Sequence, residues 1–295
     1  MPRRADGADT APMPVAARPR PVTTPLTPTV GVVVSGVDLA AIDDTTAGEL
    51  AALVVHHGMV AVPGQDLDED AQVALAARFG TVTPSPLRRF LGSRRACSLI
   101  EDTAEHAPAG FDWHTDESWT ATPPAFGFLH ALTIPACGGD TIWVDTIAAY
   151  ERLPAPLRRV ADTLSVVHHM GEDYLATVAR HHGEPVAEEL QAAHPPIEHP
   201  LVRMHPVTGR RALWLSPLYT RSIAGVDDRS GRELLTLFER SLEDPHVQVR
   251  WRWSEGDVVI WDEAATCHRA LTDHYPAVRR MRRCTTAGRR PVGVG

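Results

Sequence analysis

The sequence predicts a mainly β fold with helical decoration, a barrel or sandwich of short strands. Three observations carry this expectation. Beyond residue 95, nine short apolar runs alternate with turns rich in Gly, Pro and Asp: CSLIE, FGFLHALTI, DTIWVD, LSVVHHM, LVRMH, RALWLS, VQVRWRW, DVVIWD and RRMRRCTTAG. Helical periodicity interrupts them at 147–162 and 228–243. A doubly wound α/β fold would need a helix between most strands, and those helices are missing.

Residues 1–28 hold seven of the chain's 25 prolines and no apolar periodicity, which reads as a disordered or loosely docked tail. A single domain, 29–295, is expected to follow. TVGVVVSGV, from Thr29, is rich in β-branched residues and reads as a strand. Asp43-Asp44 precede the amphipathic TTAGELAALVVHH, so a helix starts there with Asp or Thr as its cap. MVAVPG is a short strand. DLDEDAQVALAARF is a second helix with an acid-rich first turn, as the helix dipole favours, and Gly80 ends it. No internal repeat is present.

With 295 residues, 43% of them hydrophobic, the chain can bury a sizeable core. A net charge of −8 argues against a general nucleic-acid or anionic-membrane binder. Every basic residue is arginine, and asparagine is also absent. Both missing residues have A-rich codons, which suggests a GC-rich, bacterial genome. Without lysine there is no Schiff-base catalyst, pyridoxal phosphate anchor or phosphate-loop lysine. Cys97, Cys137, Cys267 and Cys284 form no C-x-x-C pair, so they read as free thiols in a reducing cytoplasm. The longest apolar runs are far too short to span a bilayer, and Arg3-Arg4 has no apolar export region after it.

The densest polar cluster in an apolar setting is Trp113-His114-Thr115-Asp116. In an extended segment, residues i and i+2 share a face, so His114 and Asp116 project together while Trp113 and Thr115 project the other way. DVVIW reads as a buried strand, and His268 shortly after it can add a third ligand from a neighbouring strand. Two histidines and a carboxylate on one face form the facial triad of non-haem Fe(II) oxygenases, with three coordination positions open. A bare H-x-D is a weak signal in a chain with 15 histidines and 37 acids; Asp273-His274 is a similar-looking accident. Eleven residues after His268 comes Arg279, in VRRMRRC. By period 2, Arg279, Met281 and Arg283 share one strand face, and Arg280 and Arg282 the other. Arginines facing into a barrel need anionic partners, and the guanidinium fork suits a carboxylate. The plain alternative is an exposed strand with every arginine solvated.

The sequence resembles the Fe(II)/2-oxoglutarate-dependent dioxygenases of the taurine and 2,4-dichlorophenoxyacetate dioxygenase group. The resemblance covers about residues 29–290, through ARFG, WHTDESW, GGDTIW, HPVTGRRALWLSPLYT, VRWRWSEGDVVIWDEAATCHRA and RRMRRCTTAG in order. It implies a double-stranded β-helix, the cupin-like jelly-roll barrel. It implies that His114, Asp116 and His268 bind Fe(II), that Arg279 grips the distal carboxylate of 2-oxoglutarate, and that Thr141 donates a hydroxyl to it. Arg283 falls where the family often binds an acidic group of the primary substrate, and Tyr219 where it can place an aromatic pocket residue. Ser85 and Arg88 stand where taurine dioxygenases have a histidine and a tyrosine, and Gly110 replaces a polar pocket residue. These departures point away from taurine. Arg88 or Arg89 can join Arg283 in bracketing a molecule with two acidic groups.

The implied reaction consumes O2 and 2-oxoglutarate and oxidises a C–H bond of a small acid, a carboxylate, sulfonate, sulfate or phosphonate. Hydroxylation is its simplest outcome; C–X cleavage, desaturation, cyclisation and isonitrile formation share its start. Asp116 argues against halogenation, which needs that ligand position vacated. A zinc hydrolase and a non-catalytic acid-binding module are the alternatives. The family is often dimeric or tetrameric. Trp113, Trp119 and Trp143 read as core, Asp262 and Glu263 as structural residues near a turn, and the His-His pairs at 56–57, 168–169 and 181–182 as surface or packing residues. Cys267 should face away from the metal side.

Overall fold

The computed structural model describes residues 21–93, 95–108 and 112–295. β1 (Val22–Pro25) and β2 (Val32–Ser35) form an antiparallel pair, followed by α1 (Asp44–His57), β3 (Met59–Val62), α2 (Glu69–Ala77), β4 (Val82–Thr83) and α3 (Pro86–Phe90). β5 (Ser98–Asp102), β6 (Phe126–Thr133) and β7 (Thr141–Asp145) lead into α4 (Thr146–Arg152) and α5 (Ala155–Ala161). β8 (Ser165–His168) precedes the helix pair α6 (Glu172–His182) and α7 (Glu184–Ala193). Then come β9 (Ile197–Pro200), β10 (Val202–Met204), β11 (Arg211–Leu213), β12 (Thr220–Ile223) and α8 (Asp228–Glu239). The chain closes through β13 (Gln248–Trp251), β14 (Val258–Asp262), β15 (Thr266–Ala270) and β16 (Arg279–Thr286).

The large sheet has eight strands in the order β1-β2-β3-β14-β6-β16-β4, with β5 also paired to β16. A three-stranded sheet, β13-β7-β15, packs against it and closes the jelly-roll barrel. Period 2 decides what each face meets. On β14, Val258 and Ile260 pack toward α1 and α2 with Val60, Leu50 and Leu75. Val259 and Trp261 point the other way, into a core shared with Trp143, Val249 and Met281. Trp143 and Trp261 meet there at 5.9 Å between ring centroids. The outer side of β7 and β15 packs Val144 and Cys267 against α4, α5 and α8.

All nine apolar runs are strands, the first helix starts at an expected cap, and the second is shorter than the expected Asp66 to Phe79, starting after Asp68 and ending at Ala77. Asp43 accepts from Thr46 N at 2.9 Å and Asp68 from Ala71 N at 2.7 Å. Three expectations need correction. β1 lies inside the segment read as a tail and pairs in full register with β2, so order reaches back to Val22; residues 1–20 lie outside the described residues. The helix expected over 147–162 is two helices, because Leu153 before Pro154 is extended. Helices α3, α6 and α7 were not expected at all. α6 and α7 together bury only Val178, Ala187 and Leu190, which is a weak apolar stripe to read. Among the described residues no helix is long and apolar enough to cross a membrane.

Candidate active site

The first two ligand candidates are joined by backbone. His114 and His268 form an isolated antiparallel bridge, with N–H to carbonyl distances of 2.9 and 2.8 Å. Cross-strand partners project to one face, so the two rings meet at 4.3 Å between centroids. The chain turns immediately after His114 and returns Asp116, whose Oδ1 lies 3.8 Å from His114 Nε2. One donor atom from each of His114, Asp116 and His268 lies within 4.8 Å of the others.

These atoms fit a divalent ion. His114 Nδ1 donates to Asp112 O at 2.8 Å, which leaves the Nε2 lone pair free to bind. Asp116 Oδ2 and His268 Nδ1 are buried with no hydrogen-bond partner, an arrangement that is costly unless a ligand fills the space. Burial lowers the pKa of both histidines, that of His268 to about 3, so each is a neutral imidazole ready to ligate. Burial works against an ionised Asp116, but Arg283 and the neighbouring imidazoles outweigh it and hold the carboxyl below its ordinary value.

The loop around the triad is anchored on all sides. Trp113 donates from Nε1 to Glu243 at 2.7 Å, and Thr115 donates its hydroxyl to Thr266 O at 3.1 Å; both face away from the site, as expected. Cys267 is buried on the opposite face of β15, where burial pushes its thiol up. Glu263 is completely buried. Its Oε2 accepts from Asp116 N at 3.1 Å and its Oε1 from Trp261 Nε1 at 2.8 Å. Its neighbour Asp262 accepts from His205 Nε2 at 2.8 Å and from Ala264 N at 2.7 Å. Trp143 stacks on the His268 ring at 6.1 Å.

Both inward arginines of β16 are where the period predicts. Arg279 is 4% exposed and donates from Nε to Gly139 O at 3.1 Å. In register opposite it on β5 is Asp102, 3.8 Å from NH1 and beyond a hydrogen bond. Burial lowers the Arg279 pKa against the pull of Asp102. Gly138 and Gly139 both have positive φ, and a Cβ on Gly139 would sit 3.0 Å from Arg279 Cδ. The GGDTIW signature is thereby explained: the turn needs left-handed backbone and room for this arginine. Thr141, just beyond the turn, accepts from Trp253 Nε1 at 3.0 Å, so its own proton is free to be donated. Arg283 donates from NH1 to Asp116 Oδ1 at 2.6 Å, and its NH2 is 3.7 Å from Glu117 Oε1. Burial opposes its charge, but Asp116, Glu117 and Glu263 hold its pKa above the ordinary value.

The expected substrate residues divide. Tyr219 lies edge-on to His114 at 6.1 Å, and burial raises its hydroxyl pKa. The Ser85 hydroxyl caps α3, accepting from Arg88 N at 3.5 Å. Arg88 exerts its charge on Cys97, whereas Arg89 exerts its own on Glu117 and His194. Of the pair, Arg89 therefore stands nearer the metal loop. Gly110 lies outside the described residues. Sequence reasoning missed Glu117 and Asp102 and understated Glu263. An acid inside the buried run DVVIWDEAA was the available signal for Glu263; Asp102 had none, because strand register brings it in.

Two imidazoles and a carboxylate inside a jelly roll, with a buried arginine beside them, have the build of a non-haem Fe(II) oxygenase. Residues 23–285 match the family model described as taurine catabolism dioxygenase TauD, TfdA family. The chain is 33% identical to the alpha-ketoglutarate-dependent sulfate ester dioxygenase of Pseudomonas putida, over 92% of this chain and 90% of that one. It superposes on a taurine dioxygenase from Burkholderia xenovorans with a TM-score of 0.77 at 33% identity, covering 93% of both chains. The structure of AAD-2 in complex with Mn(II) and N-oxalylglycine matches with a TM-score of 0.76 at 26% identity, over 94% of this chain and all of that one. The chain belongs to the TauD/TfdA family. It is an oxidoreductase, an Fe(II)- and 2-oxoglutarate-dependent dioxygenase with O2 as cosubstrate.

Proposed function

We propose that His114, Asp116 and His268 hold the Fe(II), that Arg279 and Thr141 bind the distal carboxylate of 2-oxoglutarate, and that the chain oxidises a C–H bond of a small acid. The observation that supports this most is the convergence of three donor atoms within 4.8 Å, two of the residues carrying a buried atom with no partner. The bound metal supplies the oxidant by coupling O2 to loss of CO2 from 2-oxoglutarate, which leaves as succinate. The residues of the chain do the rest. Arg279 and Thr141 fix the far end of the cosubstrate; the NH1 and NH2 edge of Arg279 has no hydrogen-bond partner among the described residues. Arg283 and Tyr219 border the substrate side, and the apolar cluster of Trp119, Met170 and Leu190 behind them excludes water.

The named relatives act on a sulfate ester and on taurine, both acids, which favours a carboxylate, sulfonate, sulfate or phosphonate here. Hydroxylation is the simplest outcome, and on a carbon bearing an electronegative leaving group it ends in C–X cleavage. A single domain in a bacterial cytoplasm suits this reading: every basic residue is arginine, as a GC-rich genome favours, and the four cysteines are free thiols. The test is succinate formation from 2-oxoglutarate by protein reconstituted anaerobically with Fe(II), then given O2 and a panel of small acids. Succinate that rises with one class of acid is the expected result. No succinate under any condition, with Fe(II) demonstrably bound, would overturn the reading.

A further inference from the structure

His274 lies in the loop between β15 and β16, outside the metal triad. The residue is buried, and neither ring nitrogen has a hydrogen-bond partner. Burying an imidazole N–H unpaired is unfavourable, so the ring calls for an acceptor within reach. The loop fixes this ring against the GGD turn. Asp273 Oδ1 accepts from Gly139 N at 2.9 Å, Leu271 N donates to Asp140 O at 2.8 Å, and Ala277 N donates to His274 O at 2.9 Å. A Cβ on Gly139 would lie 3.3 Å from His274 Nδ1 and 3.0 Å from Arg279 Cδ, so the imidazole and the arginine flank the same glycine.

Asp102 stands between the two. Its Oδ2 is 3.3 Å from His274 Nε2, without the alignment of a hydrogen bond, and 3.8 Å from Arg279 NH1. The carboxylate is therefore suspended between two donors and held by neither. The other charges around it are committed elsewhere. Asp140 accepts from Arg250 Nε at 2.7 Å, and Asp273 holds Gly139 N with Arg250 NH2 4.0 Å away. Glu101 pairs with Arg280 on the opposite face of β16. Asp102 is thus the acid that offsets the buried Arg279 before any ligand arrives. A second carboxylate reaching Arg279 meets Asp102 as a like charge competing for the same guanidinium. A donor other than the arginine must then take Asp102, and His274 Nε2 is in place to do so.

Resting on the cosubstrate assignment under Proposed function, we infer that His274 is a positioning residue for 2-oxoglutarate: it takes Asp102 as the distal carboxylate binds and so frees the NH1 and NH2 edge of Arg279 for that carboxylate. A small rotation brings Nε2–H and Asp102 Oδ2 into alignment, and no covalent bond changes. His274 acts through Asp102 and Arg279, so its effect is confined to cosubstrates that carry a second carboxylate.

The test measures binding by anaerobic calorimetry on the Fe(II)-loaded protein with two ligands. One is 2-oxoglutarate; the other is 2-oxopentanoate, which keeps the keto acid end and has a methyl group in place of the distal carboxylate. His274→Phe, which fills the space without an N–H, should weaken 2-oxoglutarate binding by about 10- to 100-fold, the scale of one hydrogen bond to a charged group, and leave 2-oxopentanoate binding unchanged. His274→Gln, which keeps a donor, should retain part of the lost affinity. Asp102→Asn removes the competing charge, so on its own it should bind 2-oxoglutarate at least as tightly as the wild type. Added to His274→Phe, it should restore most of the affinity, a rescue that a merely structural histidine would not show. Asp102→Asn and His274→Gln carry the test should His274→Phe fail to fold. Unchanged 2-oxoglutarate binding in the His274 variants, equal losses for both ligands, or weakened binding in Asp102→Asn overturns the inference. Normal 2-oxoglutarate binding by Arg279→Ala would instead strike the cosubstrate assignment itself.

Discussion

Asp116 is held by three neighbours of different kinds: Arg283 on Oδ1, Glu263 on its backbone N–H, and the imidazoles of His114 and His268 beside it. Glu263 matters most for geometry, because its second oxygen is tied to Trp261 Nε1 and cannot swing away. An amide in its place keeps one acceptor and turns an NH2 toward the other N–H. Glu263→Gln should therefore weaken metal binding by about 10- to 100-fold, the usual scale for a group that orients a ligand. Titration with Co(II), followed by its visible absorption, would check this; an unchanged Kd would show that Asp116 is oriented without Glu263. At the far end of the site, Arg279→Ala should weaken 2-oxoglutarate binding by about 2–5 kcal/mol, as truncating one member of a buried charge pair does. Calorimetry of 2-oxoglutarate with the Fe(II)-loaded variant, kept anaerobic, would read it directly.

Strand register explains both what the sequence disclosed and what it withheld. Each of the nine apolar runs is short and bounded by turn residues, so each is legible as a strand without knowing its partner. His114, Asp116 and His268 were legible as a dense polar cluster and a histidine after a buried strand, but Asp116 comes beside His114 through a turn rather than by the extended period-2 spacing expected of H-x-D. Asp102 was not, since it meets Arg279 only through the pairing of β5 with β16, which no local pattern specifies. Ser85 carries two signals at once, since a hydroxyl before Pro86 is also a helix cap, and it caps α3 here. Register also makes Gly127 of β6 a site residue at a distance. It sits opposite Trp261 of β14, and a Cβ there would overlap the indole ring. Gly127→Ala should destabilise the fold by about 1–3 kcal/mol through overpacking. It should also weaken metal binding, because Trp261 carries Glu263 and Glu263 carries Asp116. Denaturant melts together with the Co(II) titration would separate this from a purely structural effect, which would leave the Kd of the folded variant intact.

At the scale of the molecule, the metal loop is braced by a buried polar chain that links three parts of the fold. Ser216 Oγ accepts from Thr115 N at 3.1 Å, Thr220 Oγ1 accepts from Ser216 N at 3.1 Å, and His168 joins Thr220 to Ser118 at 3.2 and 3.0 Å. His168 is completely buried on β8, with His199 edge-on at 5.4 Å. Burial first, then the nearby His199 and Arg221, depress its pKa to about 3. The native imidazole thus stays neutral, while the unfolded chain takes up a proton near pH 6.5. The stability that this neutral histidine contributes is complete above pH 6.5 and is lost progressively as the pH falls toward 3. Between pH 7 and pH 5 the loss from this one group is about 2 kcal/mol by proton linkage. His168→Gln keeps an acceptor and a donor for Thr220 and Ser118 but cannot titrate. The variant should be less stable than the wild type at pH 7, and the gap should narrow by about that amount at pH 5. Urea unfolding of both proteins at the two pH values measures it, and a constant gap would mean that His168 is protonated equally in the folded and unfolded chain.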